Sequence, residues 1–274
     1  MLLSLDSSLS ALDQFQQELD VLGNNIANVN TVGFKSSNVE FATALSQTIG
    51  DNSAGTEQLG EGVTTGSIAG QFTQGTITST GVQSNMAING NGFFMVKDPT
   101  TGQQYVTRDG TFNLDPNGYL VTSTGLRVQG YTSSAHTTIG DIQVSNVNAP
   151  GGDTAAVQSY TFDSSGQLKI TLADSTPSYI GGQILLQNFT APTQLTSVGN
   201  NLYSGLANAG PLTTPVAPGT GGVGSLQTSS LELSNVDLAS QLTSLITTQR
   251  AYEANSRVVS TSDQILQTLV NLGH

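Results

Sequence analysis

The 274 residues carry seven Lys and Arg against nineteen Asp and Glu, a formal net charge of −12, yet only 9% of them are charged, against about a quarter in ordinary soluble domains. So few cations leave no footprint for nucleic acid and no polybasic patch for a membrane surface. Cysteine is absent, which removes disulfides, thiolate chemistry and zinc sites built on Cys.

In chain order, Met1-Leu2-Leu3-Ser4-Leu5 is apolar, but Asp6 follows at once and no basic residue precedes it, so no cleaved export signal is expected. No apolar run of 18 residues occurs, and membrane insertion is not expected. From Met1 to about Val29 the pattern predicts one helix. Leu5, Leu9, Leu12, Phe15, Leu19, Leu22, Ile26 and Val29 fall at intervals of 4, 3, 3, 4, 3, 4 and 3, a single apolar seam. Asp6, Asp13, Glu18 and Asp20 lie between the seam positions.

Gly50 to Gly70 is rich in Gly, Ser and Thr and reads as an extended connector. From Phe72 to Leu226 short β-prone runs alternate with turns. Phe93–Val96 and Gln104–Thr107 flank Asp98-Pro99-Thr100-Thr101-Gly102 as a hairpin. Thr111–Leu114 and Tyr119–Val121 flank Asp115-Pro116-Asn117-Gly118, where Pro at i+1 and Gly at i+3 suit a type I turn. Leu126–Tyr131 is a further strand, Tyr160–Phe162 and Leu168–Leu172 form another hairpin, and Ile184–Phe189 is one more strand. No helical pattern separates these runs, so parallel βαβ units are not expected. Asn208 to Gly224, with Pro211, Pro215 and Pro218, is a second connector.

The last zone, from about Ser230 to Leu272, predicts a helix with Ser234 as N-cap and Asp237 in capping-box position. Leu238, Leu242, Leu245, Tyr252, Val259, Leu266 and Val270 keep a near-heptad beat, with Gln249, Ser256 and Asp263 in its gaps. From Leu238 to Leu272 such a helix spans about 50 Å. The expected fold class is therefore α+β: long N- and C-terminal helices pairing as a coiled coil, with a central, mainly antiparallel β domain. Its divisions are a helical domain of residues 1–35 plus 231–274, a connector at 36–71 and a β domain at 72–230. Two readings of the ends stay open: ordinary helices packed on the centre, or helices that order only against neighbouring copies.

Little in the chain can do chemistry. His136 and His274 are its two histidines, and no GxSxG elbow supports a triad through His136. Asp98, Asp109, Asp115, Asp163 and Asp174 sit beside Gly, Pro, Ser or Asn, where turn geometry accounts for them. The stretch from Asp109 to Asp115 lacks the sixth-position Gly and twelfth-position Glu of a calcium loop. Asn89-Gly90-Asn91-Gly92 runs into a strand, not a helix, so a tight turn explains it better than a nucleotide loop. No enzymatic activity and no cofactor are expected.

Several motifs, in order, do carry a resemblance. Asn24-Asn25-Ile26-Ala27-Asn28-Val29-Asn30-Thr31-Val32-Gly33-Phe34-Lys35 resembles the N-terminal signature of the bacterial flagellar rod and hook proteins. Ser234-Asn235-Val236-Asp237, Gln249-Arg250-Ala251-Tyr252-Glu253-Ala254-Asn255 and Ser262–Leu266 resemble its C-terminal partner. Asn91–Phe94, Thr107–Gly110 and Asn117–Val121 resemble the family's β domain. The resemblance implies an axial subunit that leaves through the type III export apparatus and polymerises with itself into a hollow helical tube, its terminal helices lining the channel. It implies contacts with neighbouring rod, hook and junction proteins and with a hook or rod cap, in the hook-basal body. The subunit-contact residues it suggests are Leu5, Leu9, Leu12, Leu19, Leu22, Asn24, Asn25, Ile26, Asn28, Gly33, Phe34, Asn235, Val236, Leu242, Leu245, Gln249, Arg250, Tyr252, Asn255 and Leu266. Asn24, Asn25 and Asn28 serve there either as helix C-caps or as contacts between subunits, and the four acids before Lys35 become candidates for channel-facing or inter-subunit positions.

Within the family, Gly23–Asn28, Arg127–Tyr131 and Thr268–Leu272 look more like the hook protein, which would place the chain outside the cell. The short span from Tyr131 to Gln187 looks more like the distal rod, which spans the periplasm. The hook reading is favoured, with the distal rod as alternative and a β-rich surface adhesin as the rival from another class.

Overall fold

The computed structural model describes residues 2–52, 55–133, 136, 138–146, 155–173, 178–212 and 214–272. Ser134, Ala135 and Thr137 beside His136, and also Asp174 and His274, lie outside the described residues. The fold is α+β and forms two compact units: Met1–Val29, Ser36–Gln71 and Val236–His274 make the first, Asn30–Lys35 and Phe72–Asn235 the second.

In the first unit, helix α1 (Leu2–Ala27) packs against a long C-terminal helix spanning Leu238–Leu272. Asn25, near the end of α1, meets Gln241 in the first turns of the other, so the two run antiparallel. The stretch expected as connector folds into ribbons. Strands β1 (Ser37–Thr43) and β4 (Val63–Gly70) pair antiparallel and back α1, while β2 (Ser46–Asn52) and β3 (Gly55–Gly60) pair between them. Phe41 on β1 meets Phe15 of α1 edge to face at 6.2 Å, and Thr65 on β4 donates to Gln14.

Two details of the C-terminal helix, α2 (Leu238–Leu272), differ from expectation. Its N-cap is Asp237, whose Oδ1 accepts the Ala239 N–H at 3.0 Å, not Ser234 one turn earlier. The helix begins where the cap side chain reaches N2, and Ser234 to Val236 lie ahead of that point. The side of α2 that is covered holds Gln241, Ser244, Leu245, Thr248, Asn255, Val259 and Ser262. Leu245 and Val259 of the apolar beat lie on this face, which is rotated by roughly 60° from Leu238, Leu242, Tyr252 and Val270 at 100° per residue. Small and polar residues dominate this face, and Leu238, Leu242 and Leu266 are left exposed.

In the second unit, β5 (Ile77–Ser79), β6 (Met86–Asn89), β7 (Phe93–Lys97), β8 (Gln104–Thr107), β9 (Asn113–Leu114), β10 (Leu120–Val121), β11 (Arg127–Tyr131) and β12 (Ile139–Asp141) come first. Then follow β13 (Val157–Phe162), β14 (Gln167–Leu172), β15 (Tyr179–Ile184), β16 (Leu186–Gln187), β17 (Thr196–Gly199), β18 (Leu202–Ser204), β19 (Ser225–Thr228) and β20 (Ser230–Glu232). The main sheet runs β13-β14-β15-β11-β7-β8-β18-β17, and β19 pairs with β6 and β20 with β5 outside it. Among the described residues every pair is antiparallel.

The expected hairpins form in register: Val96 opposite Tyr105, Leu120 opposite Leu114, Phe162 opposite Leu168. The strand expected at Ile184–Phe189 is instead two, with β15 starting at Tyr179. Strand β7 explains why its sequence is apolar without alternation. Phe94 and Val96 enter one core with Phe112, Leu168, Ile170 and Ile184, while Phe93 and Met95 enter another with Phe189 and Tyr203. A strand covered on both faces reads as a continuous apolar run. Gly130 is required at the join of β11 and β15, since a Cβ there would lie 2.2 Å from the Gln183 carbonyl.

Candidate assembly site

The chain enters and leaves the second unit at one place, and a buried charged knot sits there. Glu232, at the end of β20, is 1% exposed and accepts Lys35 Nζ at 2.6 Å, Arg108 Nη1 at 3.2 Å and the Gly75 N–H at 2.9 Å. Lys35 also donates to the Thr73 carbonyl, and Arg108 Nη2 donates to that of Gly90. The Arg108 guanidinium stands over the Phe93 ring at 5.2 Å. Burial holds both cations below their ordinary pKa, more than the pull of Glu232 raises them.

Backbone contacts complete the junction. The Gly33 N–H donates to the Glu232 carbonyl at 2.8 Å, and Asn201 Nδ2 donates to the Val32 carbonyl. Gly33 has φ +68°, and a Cβ there would lie within 2.7–2.9 Å of the Arg108–Asp109 backbone. Both the positive φ and this close approach favour glycine there. Asn235 Nδ2 donates to Thr73 Oγ1 at 2.8 Å, tying down the departing strand.

The remaining candidates from the sequence lie in the first unit or at its edges, and they separate by exposure. Asn25 is buried and fully used within the chain: Nδ2 donates to Ser37 O and Gln241 Oε1, and Oδ1 accepts Ser37 N–H. Asn28 returns to the Asn24 carbonyl and side chain, a helix-ending role. Leu22 is buried, and Leu5, Leu12, Leu19, Ile26, Phe34, Val236, Leu245 and Asn255 are half-buried. Leu9 at 52%, Leu242 at 44%, Tyr252 and Leu266 are exposed, and so are Gln249 and Arg250. Asp6, Asp13, Glu18 and Asp20 form no ion pair among the described residues.

The four described turn acids behave as expected. Asp98, Asp109, Asp115 and Asp163 each accept a backbone N–H two residues on, from Thr100, Thr111, Asn117 and Ser165. No group of three metal-binding side chains occurs among the described residues, and no helix is long and apolar enough to cross a membrane. The sequence reading missed the charged knot. Its signal was present: in a chain with seven cations, two of them, Lys35 and Arg108, stand inside motifs, and Glu232 interrupts a β-prone run between Leu231 and Leu233.

Three family descriptions match in order: "Flagella basal body rod protein" over residues 5–35, "Flagellar hook protein FlgE/F/G D1 domain" over 87–170 and "Flagellar basal body rod FlgEFG protein C-terminal" over 227–272. The flagellar basal-body rod protein FlgG of Bacillus subtilis is 39% identical over 99% of both chains, and that of Caulobacter vibrioides 37% over 98% of both. The flagellar hook protein FlgE of Borreliella burgdorferi is 40% identical, but over 48% of this chain and 31% of its own length. This difference in coverage favours the distal rod alternative over the hook reading. Between Tyr131 and Gln187 the described residues hold only β12 to β16, in keeping with the short span. Full-length likeness to rod proteins, with all three matched regions in their order, establishes that this chain is a structural, non-enzymatic member of the flagellar rod and hook protein family.

Proposed function

We propose that this chain is a distal rod subunit of the flagellar basal body, polymerised through its terminal helices. The observation that carries the reading is α2, 35 residues long, with Leu238, Leu242, Ile246, Val258, Ile265, Leu266 and Val270 exposed. Exposed apolar side chains along the whole length of a helix, spread round it, are what a helical polymer covers with neighbouring copies, because a repeated contact that does not close generates a filament. Leu9, Gln249, Arg250 and Tyr252 belong to that contact surface in this reading. Leu22 and Asn25 support it from inside the chain. Neighbouring rod, hook and junction proteins would take up the two ends of the tube.

Leu242→Glu and Leu266→Glu test it. Each side chain is exposed, so the isolated chain keeps its thermal stability while rod assembly and motility are lost. Motile cells carrying both substitutions would contradict the reading.

A further inference from the structure

Charge in the first unit is sorted by helix. Of the chain's seven Lys and Arg, only Arg250 and Arg257 belong to this unit, and both stand on α2. Helix α1 carries no cation, and Asp6, Asp13 and Asp20 follow one another along it at intervals of seven residues. Seven residues advance a helix by about 10.5 Å and bring the next side chain to within about 20° of the last. The three aspartates therefore form one line, on the side of α1 opposite the buried Ser8 and Leu22. The same interval separates Arg250 from Arg257, on the side of α2 opposite the covered Thr248 and Val259. All five charged side chains are exposed, and none forms an ion pair among the described residues. Glu253, exposed between the two arginines, pairs with neither. Each line also has an exposed apolar neighbour: Leu9 between Asp6 and Asp13, and Ile246 one turn before Arg250.

We propose that the aspartate line on α1 of one copy docks on the arginine line on α2 of the next. The charges are opposite and repeat at the same interval, so one register aligns both arginines with aspartates at once. Elsewhere two copies of a chain with net charge −12 repel each other, and the opposed lines single out the face and the register in which they attract. The contact joins two different helices, so each copy offers α1 to one neighbour and α2 to another, and addition continues without closing. The partner thus assigned to the helical surface rests on the proposed function where rods are concerned, but association of the purified chain does not.

The test follows self-association of the full chain by sedimentation velocity at rising concentration. Asp13→Arg with Asp20→Arg turns the α1 line basic, and Arg250→Glu with Arg257→Glu turns the α2 line acidic. Each double variant alone is expected to stay monomeric with unchanged thermal stability, since these charges are exposed and unpaired in the single chain. An equimolar mixture of the two assembles, because every basic line then finds an acidic one. For the native chain, about 1 M sodium chloride shortens the screening length to about 3 Å and weakens association about tenfold. If a reversed variant does not fold, Arg250→Gln with Arg257→Gln removes the charge without reversing it and is expected to abolish the salt dependence. Reversed variants that associate alone like the native chain overturn the pairing, and so does a mixture that stays monomeric. A native chain that stays monomeric at every concentration overturns the second copy as partner. Should cells lacking the gene keep normal rods, the function falls while the result of the mixture stands, so the two claims fail separately.

Discussion

At the scale of single residues, Glu232 is the side chain on which most depends. It balances two buried cations and holds the Gly75 N–H, so Glu232→Gln leaves Lys35 and Arg108 facing each other without a counter-ion. Breaking a buried pair in this way costs about 3–5 kcal/mol. Lys35→Met is expected to cost less, because what remains is one cation against one anion. Urea denaturation of the two variants checks the order, and equal losses would contradict it. Tyr203 offers a second test. Burial raises its phenol to about 12, above an ordinary value of 10.0, and the nearby Arg108 pulls the other way. The raised folded value means that its contribution to stability is complete below pH 10 and is lost as the pH climbs to about 12. Absorbance at 295 nm should show a late tyrosinate phase, and Tyr203→Phe should remove it.

Elements were legible where one physical cause dominated. The hairpins at Asp98, Asp115 and Asp163 were readable because each acid makes its own turn, whatever the strands beside it do. Helix α2 was readable from end to end, but its buried face was not. Periodicity locates an apolar stripe, whereas burial in one chain depends on which residues are small enough to let a neighbour approach. In α2 small and polar residues such as Ser244, Thr248 and Ser262 dominate the covered face, and Leu238, Leu242 and Leu266 are left exposed. The cap shows a similar limit: Ser234 and Asp237 both carry the chemistry, and only the backbone path decides between them. Asp237→Ala should lower stability by about 0.5–2 kcal/mol, read from thermal unfolding of helical circular dichroism. No change would mean that another group caps α2. The ribbons β1 to β4 were hidden for a different reason: Gly, Ser and Thr mark turns and linkers, and α1 packs behind only two of these strands, β1 and β4.

In the proposed polymer, the scarcity of charge and the exposed apolar side chains of α2 have one explanation. Side chains to be desolvated between copies are best uncharged, since moving ions out of water is costly. The candidate site was half legible for the same reason. The exposed leucines could be named from sequence because periodicity finds them, but the knot at Glu232 joins residues 35, 108 and 232, and no local pattern brings those together. The central claim, that this chain builds the distal rod, is tested most directly by electron microscopy of basal bodies from cells in which its gene is deleted. The account predicts absent or shortened rods with no hooks, restored by the wild-type gene. Complete rods lacking only the hook would make the chain a hook subunit, and normal flagella would contradict the account altogether.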